Sequence, residues 1–220
     1  MMSVPRLFGN RVYPALIVLL LALPAAAEPR DCPDCPEMVE LRGFAIARTE
    51  ASVGQWRACE AAMACPVKMK LRWPEDAMPM TDVTAAEAEA YAAWLSRRTG
   101  KRYRLPTEAE WEFAAKAGTT TAYPWGEAME PGRAVCQRCD PRFDHRPAPV
   151  ATMAPNPWGL HDMNGNVWEW TAECWEPACR NRVVRGGSWY FVPFQSRSVA
   201  RAPQDAKSWS YDVGFRVVRD

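Results

Sequence analysis

The chain has 220 residues, 48% hydrophobic and 24% charged, with 27 Lys and Arg against 26 Asp and Glu. So even a balance carries no basic footprint for nucleic acid, and the length suits one domain with a sizeable core. The eight cysteines pose the remaining question, whether they staple the chain or hold a metal.

Residues 1–27 read as a secretory signal peptide. Arg6 and Arg11 form a basic n-region, 15–23 is an apolar run, and Ala25-Ala26-Ala27 is a small-residue cleavage site. The run falls short of the roughly 20 residues a spanning helix needs. The mature part, 28–220, is therefore expected to be secreted or periplasmic, with no stable membrane span after cleavage. Cleavage removes two arginines and no acid, which leaves 25 basic and 26 acidic residues. All eight cysteines lie in the mature part as close pairs: Cys32/Cys35, Cys59/Cys65, Cys136/Cys139 and Cys174/Cys179. An even count in an exported chain reads as disulfides, here paired locally. The alternative is a zinc site built from the two C-x-x-C pairs, and an oxidising compartment weighs against it.

Residues 28–37, rich in Pro, Asp and Cys, form a stapled lead-in, and 38–47 alternate enough for a strand or hairpin. Ser52-Val-Gly-Gln55 matches a capping box and predicts a short helix to about Ala62. After a Pro- and Met-containing loop, Thr84-Ala-Ala-Glu87 is a second box. The helix it opens carries Ala88, Tyr91, Ala92 and Leu95 on one face, with Gly100 at its end. Thr107 and Glu110 make a third box, for a helix that turns Trp111, Ala114 and Ala115 inward and ends at Gly118. Tyr123-Pro-Trp-Gly126 is a tight turn, and 131–149 is loop. Residues 182–189 read as strand, glycine bend and strand, and the last seven residues as a terminal strand. Two main helices with short antiparallel strands and long loops indicate an α+β fold.

The stretch 156–175, N-P-W-G-L-H-D-M-N-G-N-V-W-E-W-T-A-E-C-W, holds four of the eleven tryptophans. Its glycines and asparagines interrupt any regular periodicity, so it reads as an irregular packed hub with a short strand near 166–171. Asp162, Glu169 and the carbonyls between them offer hard oxygen donors of the kind Ca²⁺ takes. A tryptophan-rich core turn without an ion is the alternative. Arg185, Arg197, Arg201 and Arg216 either line a surface groove for a peptide or anion or form ordinary strand ion pairs. His145 and His161, with a carboxylate, could supply an iron facial triad, although a histidine inside such a hub is more often packed and hydrogen-bonded.

Five motifs occur in one order: R-L-P-T-E-A-E-W-E-F-A-A (104–115), Y-P-W-G (123–126), N-P-W-G-L-H-D-M-N-G-N-V-W-E-W (156–170), R-V-V-R-G-G-S-W (182–189) and G-F-R-V-V-R (214–219). On these motifs the chain resembles the formylglycine-generating-enzyme/sulfatase-modifying-factor family over residues 36–220. The resemblance implies a loop-rich, C-type-lectin-like α+β domain with bound calcium. It places one calcium site on Asp162 and Glu169 and on the carbonyls of Met163, Gly165 and Val167. A second family site starts at a place held here by Val135, which has no side-chain oxygen; Asp140 or Asp144 would have to compensate. The family's oxidase, which converts a peptide cysteine to formylglycine, relies on two copper-binding cysteines shortly after the G-G-S motif. The aligned places here are Phe191 and Ser196, and no cysteine follows Cys179. A copper oxidase site is therefore not expected, since thiolates are what hold Cu(I). The expectation is an exported, calcium-containing, disulfide-stapled domain acting as a binding or maturation factor for an exported protein or peptide. The alternatives are an oxygenase with unusual metal ligands and a lectin-like glycan binder.

Overall fold

Three capping boxes set the positions of the helices in the computed structural model, which describes residues 30–220; the signal peptide expected over 1–27 lies outside the described residues. Helix α1 (Val53–Ala61), α2 (Ala85–Thr99) and α3 (Glu108–Lys116) each start where a Ser or Thr hydroxyl accepts the backbone N–H three residues on and the residue there answers the cap's own N–H. Each reciprocal pair satisfies two of the donors that a helix start leaves open. Helix α2 closes on Gly100 at φ +72°. Helix α3 ends one residue earlier than its glycine suggests, because Ala117 already turns left-handed at φ +47°.

The cap of α3 also carries a pH dependence. Arg104 donates two 2.7 Å bonds to Glu110, and the Thr107 N–H adds one of 2.8 Å. Chiefly through Arg104, these bonds hold the Glu110 carboxyl down at about 2 against the upward push of burial. An unfolded glutamate titrates near about 4.3. The stabilisation is therefore complete above that value and is lost as the pH falls toward about 2. We expect the melting temperature to fall more steeply between about pH 5 and pH 2 in the wild type than in Glu110→Gln. At neutral pH the variant should be less stable by about 1 kcal/mol; thermal melts across that range check both.

The strands form two four-stranded sheets. In the first, β1 (Met38–Glu40), β2 (Ala45–Ala47), β8 (Val218–Arg219) and β3 (Tyr103–Arg104) lie in that order, all antiparallel. The second has the order β6 (Arg201–Asp205), β5 (Asn181–Arg185), β4 (Trp168–Cys174) and β7 (Val213–Gly214). Its β4–β7 pair is parallel, the one departure from the expected antiparallel arrangement among the described strands. Strand β6 was not legible in the sequence; it contains Pro203, which an edge strand tolerates because its N–H side needs no partner. The short strand expected near 166–171 is β4, which begins at Trp168 and continues through a bulge to Cys174.

Trp56 stacks on Tyr91 with centroids 6.0 Å apart, and Phe215 meets both rings edge-on. Trp56, Trp111 and Trp170 are fully buried, and truncating a buried aromatic of this size to alanine typically costs about 3–5 kcal/mol. All four expected local disulfides are present, Cys32–Cys35, Cys59–Cys65, Cys136–Cys139 and Cys174–Cys179, which leaves no free thiol. Among the described residues no helix is long and apolar enough to cross a membrane.

Candidate functional site

Residues 156–167 curl irregularly between α3 and β4. Asp162 and Asn166 take left-handed backbone at φ +59° and +62°, and Gly165 lies between them at +107°. At Gly165 the turn allows no side chain, because a Cβ would lie 2.4 Å from the Val135 carbonyl oxygen. That carbonyl accepts the Asn166 N–H at 2.8 Å, and the Gly165 N–H goes to Gly186 O at 2.8 Å. The Asn166 side chain accepts the Ala148 N–H at 2.9 Å. The hub is thus stitched to the 135–148 loop on one side and to the glycine bend on the other.

A fully buried ion pair lies beneath it. Arg216 donates to both oxygens of Glu169 at 2.7 Å and to the carbonyls of Ala47 at 3.1 Å and His161 at 2.9 Å, while Trp111 Nε1 donates to Glu169 Oε2 at 2.8 Å. The pair joins β2, β4, α3 and the β7–β8 segment at one point. It also commits Glu169 to a guanidinium.

Beside this pair is a second set of acids with no such partners. Glu50, in the turn between β2 and α1, is completely buried, and neither of its carboxylate oxygens has a hydrogen-bonded partner. Asp162 accepts the Ala151 N–H at 2.7 Å on Oδ2, but its Oδ1 is buried and unpartnered. Burial first, and then the neighbouring carboxylates Asp162 and Glu169, push Glu50 well above the usual carboxylate range. Burial also raises Asp162 to about 6. Each buried polar atom left unpaired costs about 1–3 kcal/mol. Three carboxyl groups around a single guanidinium are an excess of anionic oxygen, and a hard cation satisfies that chemistry. Among the described residues no three His, Cys, Asp or Glu side chains converge as a metal cluster. A cation here would draw most of its ligands from backbone carbonyls, as calcium sites commonly do.

The four arginines divide two and two. Arg216 is buried against Glu169, so it lines no surface groove. Arg185 is buried as well: it bonds Glu108 at 3.0 Å and Glu112 at 2.6 Å and stacks over Trp111. Both correct the groove expectation, because each guanidinium is held by carboxylates from another element. Arg201 remains exposed, paired with Glu108 at 2.9 Å and lying over Trp175, and half-buried Arg197 lies over Phe194.

His161 contacts the Met153 carbonyl at 2.8 Å through Nδ1, which must therefore carry the proton, and burial lowers its pKa. His145 is exposed beside Asp144. No facial triad is assembled from them among the described residues. Asp140, one of the two acids expected to compensate for Val135 in a second calcium site, is held by Arg142 at 2.6 Å.

Phe191 packs edge-on to Trp168, with centroids 5.8 Å apart. Ser196 is fully buried against the glycine bend, where a Cβ on Gly187 would come within 2.5 Å of both its hydroxyl oxygen and the Gln195 carbonyl. The two places that the resemblance assigns to copper thus hold a packed ring and a buried hydroxyl. Glu50 was missed because a lone acid just before a capping box reads as a charge complementing the helix dipole; nothing in its neighbours marks it as interior.

The comparisons with known proteins agree with this architecture. The sulfatase-modifying factor enzyme 1-like domain model matches residues 22–220. The inactive C-alpha-formylglycine-generating enzyme 2 of Mus musculus is 39% identical over 154 residues, covering 63% of this chain and 48% of that protein. The formylglycine-generating enzyme of Mycobacterium tuberculosis is 34% identical over 177 residues, covering 64% of this chain and 57% of that protein. The chain thus spans about half the length of these relatives. Among solved structures, PvdO from Pseudomonas aeruginosa superposes with a TM-score of 0.76 at 27% identity, covering 87% of this chain and 97% of PvdO. Treponema denticola variable protein 1, at 23% identity, shares the fold with a TM-score of 0.69. From the matched model, the ordered motifs and the superposed fold together, the chain belongs to the family of sulfatase-modifying factor enzyme 1-like, or formylglycine-generating-enzyme-like, domains.

Proposed function

We propose that this chain is an exported, formylglycine-generating-enzyme-like binding or maturation factor without copper oxidase chemistry, acting on a protein or peptide exported with it. The observation that carries this reading is the pair Phe191 and Ser196 in the places where the family's oxidase has thiols. A phenyl ring donates nothing to Cu(I), and a hydroxyl is a poor substitute for a soft thiolate. Nor can a thiol be recruited from elsewhere, because all eight cysteines are held in four bridges. The Mus musculus relative, whose name calls it inactive, is in keeping with this scaffold lacking the oxidase. The hub is proposed to hold Ca²⁺ through Asp162, Glu169 and the carbonyls of Met163, Gly165 and Val167, with a structural role.

The test is incubation of the purified protein with Cu(I), O₂ and a peptide containing Cys-x-Pro-x-Arg, followed by mass spectrometry. The expected result is an unchanged cysteine. Appearance of the formylglycine mass would overturn the proposal in favour of an oxygenase with other metal ligands.

A further inference from the structure

We propose that the Cys32–Cys35 bridge is a thiol–disulfide exchange site, which passes its disulfide to a dithiol in an exported polypeptide. This site is separate from the oxidase and calcium assignments above, and neither is needed for it.

The two ends of the bridge differ in exposure. Cys32 is half-buried and can be reached from solvent, whereas Cys35 is completely buried. Exchange needs an incoming thiolate to reach one sulfur of the bridge, and here that sulfur is Cys32. Cys59–Cys65 and Cys136–Cys139 are buried at both ends. A cation also sits on the reachable sulfur: Arg98, in the last turn of α2, places Nε 3.3 Å from Cys32 Sγ. A neighbouring guanidinium favours a thiolate, and a stabilised reduced form makes a bridge a stronger oxidant. Asp34 shares that guanidinium at 2.8 Å and tempers the effect. The other nearby acids have partners of their own, Asp31 in Lys101, Tyr103 and Arg219 and Glu37 in Arg30. Cys174–Cys179 lies nearer the surface, but no side-chain N–H bonds either of its sulfurs among the described residues.

As a staple the bridge adds little. Its cysteines are 3 apart in sequence, and so short a loop removes little chain entropy. The Cys35 N–H already closes the turn on Cys32 O at 3.0 Å. Asp31 on one side and the β1–β2 pairing on the other anchor the same segment, so reduction leaves the fold in place. A cleft of about 640 Å³ adjoins the bridge, lined by Pro33 and Asp34 of the turn and by Glu37, Arg48, Ala77 and His161. It gives an incoming polypeptide segment room beside Cys32.

The exchange balances without a further oxidant. One client thiolate attacks Cys32 Sγ, the S–S bond breaks, and Cys35 leaves and takes up a proton. The second client thiolate attacks the client sulfur of the mixed disulfide, and Cys32 leaves as a thiolate beside Arg98. The client's two thiols are oxidised to a disulfide, and the bridge is reduced to a dithiol.

The experiment equilibrates the full exported chain in glutathione buffers of stepped reduced-to-oxidised ratio. Free thiols are then alkylated and each cysteine is read by mass spectrometry, with circular dichroism in parallel. We expect Cys32–Cys35 to open in buffer at least about tenfold less reducing than the other three bridges require, with the spectrum unchanged. Arg98→Leu should make that opening about tenfold harder, while Arg97→Leu, in the same helical turn, should not move it. Mixed in equal amounts with a peptide carrying two cysteine thiols, the wild type should oxidise the peptide as Cys32–Cys35 is reduced. In Cys35→Ser, a disulfide-bonded peptide should be captured on Cys32. A Cys32–Cys35 bridge that opens only with the others or only on unfolding overturns the proposal. So does an Arg98→Leu protein that matches the wild type, or a peptide whose thiols stay reduced.

Discussion

Replacing Arg216 with methionine lowers the free energy of unfolding by about 3–5 kcal/mol, because it strands a buried carboxylate. Arg216 and Glu169 are both fully inaccessible. With the guanidinium gone, Glu169 keeps only the Trp111 N–H, and the carbonyls of Ala47 and His161 lose a donor as well. Methionine matches the length of the arginine stem, so packing survives better than charge balance does. A double replacement, Arg216→Met with Glu169→Leu, should recover much of the loss, since an ion pair exchanged for apolar side chains of similar volume is often near neutral. Urea unfolding of the four proteins in the cycle checks this. Single and double variants of equal stability would mean that the cost lies in the lost carbonyl contacts and not in the unpaired charge.

Gly165→Ala is expected to be comparably damaging, at about 3–5 kcal/mol, with strain from two sources. The backbone there is left-handed at φ +107°, and the new methyl would lie 2.4 Å from a carbonyl oxygen of the 135–148 loop. Gly159 is the internal control. It is also left-handed, at φ +84°, but a Cβ there meets nothing within 4 Å. Gly159→Ala should therefore cost only the conformational part, about 1–2 kcal/mol. The difference between the two variants, read from urea midpoints, isolates the steric share. A Gly165→Ala protein as stable as Gly159→Ala would show that the loop can move aside.

Features whose causes are local were legible in the sequence. Ser52 with Gln55, Thr84 with Glu87 and Thr107 with Glu110 each fix a helix start through atoms three residues apart, and all three starts are found as read. The disulfides were legible for the same reason, since each pair is already close along the chain. The partner of β8 was not legible, because a two-residue strand carries no period. The parallel pairing of β7 with β4 depends on a Gly214 that leaves no room for a Cβ beside Met80 O, a contact between distant segments. Within the site, Asp162 and Glu169 were named together because both lie in the hub. The structure keeps them in one cluster and adds two residues from elsewhere in the chain: Arg216, which bonds Glu169, and the buried Glu50, whose charge is felt there. Arg185 and Arg216 leave the groove set for the same reason: the carboxylates that hold Arg185 come from α3, and strand periodicity gives no sign of them.

The order of the first sheet has a further consequence. Strand β8 lies between β2 and β3, so residues synthesised after every other described strand separate strands made much earlier. A nascent chain threaded from its amino end can form its helices early, but it cannot close this sheet until Arg219 has emerged. Until then the edges of β2 and β3 stay unpaired and open to mispairing. Closure of the first sheet is thereby deferred until β8 has emerged, and a proteolytic clip that removes 218–220 should leave that sheet open between β2 and β3.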